Sequence, residues 1–197
     1  MKIIGIELNH VLRNINRQIL KYYDKEFSLS CDIDDIDEYK DLDKYVVFKS
    51  KKEKHDFFFV DYPYEIYGCA NYAEKNLASK VVTWIGDLQN NDDEEVKVVF
   101  FSLDEEELSI QSSLFFLSKF GCRARKVIFP TSVDEVFNEC DVVITADKRF
   151  LENKTANEKK VVLIEKPFNE DVKERASLSY GKMTDIISDS DFLNKLK

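Results

Sequence analysis

The chain has 197 residues, 44% hydrophobic and 13% aromatic, enough for one core or for one core with a small insert, and no segment is compositionally disordered. Its 29 basic and 38 acidic residues give a formal charge of −9, a surface that repels nucleic-acid phosphates, so non-specific DNA or RNA binding is not expected. No run approaches the roughly 20 apolar residues of a membrane-spanning helix, no charged-then-apolar leader opens the chain, and Cys31, Cys69, Cys122 and Cys140 lack metal-ligand spacing, which together predict a reduced, cytoplasmic protein.

Residues 3–6 read as a buried strand that runs into Glu7-Leu8-Asn9-His10-Val11-Leu12. Residues 15–27 carry Ile15, Ile19, Leu20, Tyr23 and Phe27 at helical spacing. The acidic run at 32–38 reads as a solvated linker or helix face, and His55 as a surface histidine in a charged stretch. Phe57, Phe58 and Phe59, followed by Tyr62, Tyr64 and Tyr67, read as core packing, with any exposed part suited to a protein interface. A long helical pattern covers 64–88, and residues 90–95 form a polar linker to a strand at Val96–Phe101. Residues 105–120 predict a helix with Leu108, Leu114, Leu117 and Phe120 on one face and Gly121 as its C-terminal cap. A strand at 126–129, a short helix at 133–138 and strands at 141–145 and 161–164 follow. Asn153-Lys154-Thr155 has the form of a glycosylation sequon and reads more simply as a polar loop.

Strands this continuously apolar are covered on both faces, and their alternation with helices predicts an α/β fold with a central parallel sheet, residues 3–6 at its middle. The gap of about ninety residues between the first two strands is too long for one crossover. Residues 14–91 are therefore expected to be an inserted, mainly helical cap, and residues 1–13 with 92–197 the core domain.

The segment Glu7-Leu8-Asn9-His10-Val11-Leu12, directly after a buried strand, resembles the first motif of the haloacid-dehalogenase-like (HAD) phosphohydrolases, Asp-x-Asp-x-Thr/Val-Leu. Residues 57–68 are similar to the cap of its 5′(3′)-deoxyribonucleotidase-like branch, Cys140-Asp141-Val142-Val143-Ile144-Thr145-Ala146-Asp147 to its fourth motif, and Glu165-Lys166-Pro167-Phe168-Asn169 to its terminal loop. The resemblance implies a Rossmannoid three-layer fold. It also implies a carboxylate nucleophile, a second aspartate as general acid, magnesium held by the nucleophile and the fourth-motif acid, and a Ser/Thr with a Lys to hold the phosphoryl oxygens.

In this chain Glu7 stands at the nucleophile position, its extra methylene shifting the attacking oxygen by about 1 Å, a displacement that can cost roughly a hundredfold. Asn9 stands at the general-acid position, where an amide cannot exchange a proton; His10 is the neighbouring group that could replace it. Ser102 fits either the phosphate-holding position or the start of a capping box with Glu105. No lysine lies between Val127 and Asp147, and Lys126 is the nearest. Asp147 remains in the fourth motif beside Ala146, where a second acid is usual, and reads also as a helix cap or loop acid.

Glu7, Asn9, Ser102 and Asp147 are accordingly read as vestigial positions, with no catalytic residue, no metal site and no cofactor. The expected function is a catalytically inactive structural or protein-interaction component, partnered by other proteins in an assembly such as a phage virion. The alternatives are a divergent magnesium-dependent phosphatase or 5′-nucleotidase using Glu7 as nucleophile or metal ligand, and a sensor that binds phosphate or nucleotide without turnover.

Overall fold

The computed structural model describes residues 1–90, 95–121, 125–153 and 159–196. Most of the 90–95 linker, Cys122, and Lys154 with Thr155 of the sequon lie outside the described residues. The chain opens with β1 (Lys2–Glu7). A short β2 (Arg13–Asn14) follows, then α1 (Asn16–Phe27), α2 (Leu42–Tyr45) and α3 (Lys51–Asp56). Two π-helical segments, Phe57–Asp61 and Tyr64–Gly68, lead to β3 (Asn71–Tyr72) and α4 (Leu77–Gln89). The second half alternates β4 (Val96–Phe101), α5 (Glu107–Phe120), β5 (Val127–Ile128), α6 (Val133–Glu139), β6 (Val142–Thr145), α7 (Arg149–Glu152) and β7 (Lys160–Ile164). A 3-10 helix (Pro167–Arg175), β8 (Leu178–Tyr180), α8 (Met183–Ser188) and α9 (Phe192–Lys195) close it.

Six strands form one parallel sheet in the order β5-β4-β1-β6-β7-β8, which bears out the parallel α/β expectation and adds the short edge strand β8. The period of two along each strand divides the core. Ile4, Ile6, Val98, Phe100, Val142, Ile144, Val162 and Ile164 face one side, with Val81, Trp84, Phe116 and Met183 from the helices over them. Val99, Phe101, Val143, Val161 and Leu163 face the other, under Val136, Phe137, Phe150 and Val172. Helices on both faces of the sheet make three layers. Gly5 is required at the centre, because a Cβ there would meet Cys140 Sγ at 2.8 Å.

β2 and β3 pair antiparallel where the segment between β1 and β4 leaves the sheet and returns. α4, in the same segment, packs against β4 and α8. Ahead of it, Glu74 accepts hydrogen bonds from the backbone N–H groups of Met183 (2.7 Å) and Thr184 (3.3 Å), tying the segment to the start of α8. The helical pattern expected at 64–88 is broken. Gly68 lies so close to α5 that a Cβ would sit 3.2 Å from Ser112 O, and Asn76 takes a left-handed φ of 60° before α4 begins. Among the described residues, no helix is long and apolar enough to cross a membrane.

α5 departs from its expected face. It starts at Glu107 rather than 105, its capping box is Glu106 with Ser109, and Gly121 ends it at φ 75° as expected. Leu117 and Phe120 are buried as expected, but Leu108 and Leu114 are 44% and 46% exposed, while Ser109, Ser112 and Ser113 point inward. Of these serines, Ser113 answers a buried arginine, Arg13, while Ser109 and Ser112 bond the backbone of Glu106 and Leu108.

Candidate active site

In an open parallel sheet, ligands bind at the C-terminal ends of the strands, where connections to opposite faces diverge. Here that edge brings together Glu7 at the end of β1, Ser102 after β4, Thr145-Ala146-Asp147 at the end of β6 and Glu165-Lys166 after β7. Three of the four sequence-chosen positions (Glu7, Asn9, Asp147) thus flank the β1–β6 pair, and Ser102 adjoins them from β4.

Glu7 is 3% exposed, and its Oε2 accepts from Thr145 Oγ1 (2.5 Å) and from Ala146 N–H (3.0 Å). Burial, reinforced by the negative charge of Asp147, pushes its carboxyl up to about 8. The two hydrogen bonds and the charge of Arg149 pull the other way and lose. Because Oε2 is an acceptor twice over, the proton belongs on Oε1.

Asp147 is held by Arg149: Oδ1 accepts from the Arg149 backbone N–H (2.9 Å), and Oδ2 meets Nε (2.7 Å) and Nη2 (2.6 Å). Arg149 Nη1 extends to Asp104 Oδ2 at 2.5 Å. Asp147 therefore fastens the first turn of α7 while its side chain remains partly exposed.

Asn9 turns away from this group. Its Nδ2 donates to Ser102 Oγ (3.2 Å) and its Oδ1 accepts from Arg13 Nε (2.9 Å). Arg13, fully buried, spends its other donors on Tyr67 O (2.9 Å), Ser113 Oγ (2.7 Å), Ser102 Oγ (3.3 Å) and Glu105 Oε1 (2.5 Å). Its five N–H groups thus have five acceptors. Glu105 is recruited to this pair and to Ser113 rather than to a capping box with Ser102, which corrects that expectation. Sequence reasoning passed over Arg13, since a lone arginine after a motif reads as surface charge.

His10 occupies the turn between β1 and β2 with a left-handed φ of 63°, its N–H donating to Arg13 O (2.7 Å). Its ring stands edge-on to Phe168 (centroids 5.3 Å) and Tyr39 (6.0 Å), and among the described residues its buried Nδ1 has no hydrogen-bond partner. Burial, with the charge of Lys166, lowers its pKa to about 4, so the imidazole is neutral at pH 7. His10 borders an open cleft of about 480 Å³ shared with Asn16, Glu38, Tyr39, Lys148 and Phe168. Lys166 stands over the Tyr39 ring at 5.1 Å. Asn169, buried after β7, ties its loop to the Ala146 carbonyl (2.7 Å). Lys126 pairs with Glu139 before β6, at the opposite end of the sheet, and is not part of the site. His55 is exposed and pairs with Asp56 and Glu106.

The residues do not fit a magnesium ion. Both Asp147 oxygens and Glu7 Oε2 already accept hydrogen bonds, Ala146 offers no oxygen from its side chain, and Asn9 faces Arg13. Among the described residues, no cluster of three or more His, Cys, Asp or Glu side chains is placed to hold a metal.

No family model and no curated protein matches the chain. Among solved structures it is similar to a dehalogenase at 8% identity, with 94% of this chain and 95% of that one covered and a TM-score of 0.54. It is also similar to a structure described as a haloacid dehalogenase-like hydrolase from Burkholderia xenovorans, at 10% identity, 97% coverage of both chains and a TM-score of 0.56. At such identities the likeness establishes the fold: the chain has the HAD-like Rossmannoid architecture. It also corrects the expectation that the chain is not an enzyme. That expectation took Glu7, Asn9, the missing lysine and Ala146 together as a loss of catalysis, whereas the solved chains sharing the fold are titled a dehalogenase and a putative haloacid dehalogenase-like hydrolase, and a structural or virion role finds no support.

Proposed function

We propose that the chain is a divergent hydrolase of phosphomonoesters in which Glu7 is the reacting carboxyl. The observation that carries the reading is the buried, proton-holding carboxyl at the end of the central strand, where hydrolase chemistry is placed in this fold. A carboxyl with a pKa near 8 is largely protonated at neutral pH, so Glu7 suits a proton donor better than a nucleophile. That supplies the function Asn9 cannot. In this reading water attacks phosphorus, the ester oxygen leaves with the Glu7 proton, and the resulting carboxylate is stabilised by Thr145 and Ala146 N–H. The proton of the attacking water passes to a phosphoryl oxygen, because His10 Nδ1, without a hydrogen-bond partner among the described residues, is sealed from solvent.

Nucleoside monophosphates are the first class to try, on the sequence likeness of residues 57–68, 140–147 and 165–169 to the nucleotidase-like branch. The test is a panel of phosphomonoesters, including nucleotides and p-nitrophenyl phosphate, assayed with wild type, Glu7→Gln and His10→Phe. Turnover by wild type that falls to background in Glu7→Gln and persists in His10→Phe supports the reading. Wild-type rates equal to those of Glu7→Gln on every substrate refute it.

A further inference from the structure

Among the described residues, the carboxylates nearest the place of the cation that the resemblance implies already accept hydrogen bonds, and Arg149 stands on Asp147. We propose that Arg149 supplies the positive charge beside Glu7 and Asp147 that a divalent ion would otherwise bring, so that the site works without metal. Asp147 gives Oδ1 to the Arg149 N–H and Oδ2 to the guanidinium. Asp104 gives Oδ2 to the same guanidinium, so one planar cation joins the loop after β4 to the loop after β6. Glu7 Oε2 is held inward by Thr145 and Ala146, both fully buried. Asn9 Oδ1 belongs to Arg13. A magnesium ion takes near-octahedral oxygen geometry with at least one or two carboxylates, and Asp147 would first have to leave its charge-assisted bonds to Arg149, and Glu7 Oε2 its bonds from Thr145 and Ala146.

Arg149 is well suited to the exchange. Its side chain is half exposed, and among the described residues three of its five N–H groups contact Asp147 and Asp104. The other two remain for an anion, in the planar fork that matches phosphate. A lysine could not span both aspartates in that way. The inference takes the strand-end site of the proposed function as its setting, but its principal test does not depend on turnover.

Manganese binding to the whole protein, followed by electron paramagnetic resonance and calorimetry, tests it in wild type, Arg149→Ala and Arg149→Lys. Wild type and Arg149→Lys should bind no manganese at millimolar concentration. Arg149→Ala frees Asp147 and Asp104 and should gain binding, which a further Asp147→Asn removes. Wild-type binding that Asp147→Asn abolishes overturns the inference, and so does an Arg149→Ala protein that binds no better than wild type. Hydrolysis serves as the separate arm: a chelator should leave wild type unchanged, while Arg149→Ala should lose about a hundredfold, recovering in part with manganese and in part in Arg149→Lys. If no phosphomonoester is turned over but the manganese pattern holds, the functional reading fails and the replacement of the ion by Arg149 stands. Turnover that a chelator abolishes leaves the hydrolase reading in place and overturns the inference.

Discussion

Two buried charged groups at the strand ends behave oppositely, and the difference is one of partners. Arg13 is charged and fully answered, whereas Glu7 has hydrogen bonds but no adjacent cation that outweighs its burial. Removing one member of a buried ion pair strands the other, at about 3–5 kcal/mol. Glu105→Ala should therefore destabilise the protein by that order in denaturant unfolding, and the double change Arg13→Met with Glu105→Leu should cost much less. A double variant as unstable as the single would show that the pair is not the source of the loss. For Glu7 the folded-state pKa lies above the ordinary carboxyl value of 4.5, so folding favours the protonated form. Its contribution is complete below about 4.5 and lost as pH rises through about 8. His10 is the reverse case, favoured neutral, its contribution being lost as pH falls from 6.5 towards about 4. Stability measured across pH 5–9 should thus decline on the alkaline side in wild type and hold level in Glu7→Gln; parallel curves for the two proteins would contradict this assignment. The motif made Glu7, Asn9 and Asp147 legible as a set. It could not reveal that Asn9 faces Arg13, because that depends on an arginine four residues on and a glutamate about ninety residues away finding the same cavity.

At the scale of elements, the strands were legible and the faces of the helices were not. β1, β4, β6 and β7 are continuous apolar runs, a pattern that survives any detail of packing. α5 misleads because Leu108 and Leu114 suggest the inward face, while burial of Arg13 draws Ser113 inward instead. Adjacent positions on this helix give a direct comparison. Ser113 bonds both Arg13 and Glu105, so Ser113→Ala should cost about 1–3 kcal/mol through unsatisfied buried partners. Leu114→Ala, on the exposed side, should change stability by no more than about 0.5 kcal/mol. Thermal or denaturant unfolding that reversed this order would restore the face expected from periodicity. β8 escaped notice because a three-residue edge strand carries too little pattern.

Across the whole molecule, the order β5-β4-β1-β6-β7-β8 puts β1 between β4 and β6, so that one edge of the sheet collects Glu7, Ser102 and Asp147 from segments far apart in sequence. The architecture was legible because continuous apolar strands alternating with helices report on layers. The raised pKa of Glu7 was not, because absent aspartates say which mechanism is lost and nothing about how deeply the remaining carboxyl is buried. The central claim is that Glu7 donates a proton from the end of β1 while His10 remains neutral. The pH dependence of phosphomonoester hydrolysis tests it most directly. The rate is expected to hold level from acid to neutral pH and to fall as Glu7 loses its proton near pH 8, with Glu7→Gln lacking the activity throughout. A rate that keeps climbing above pH 8, or a Glu7→Gln protein as active as wild type, would contradict it.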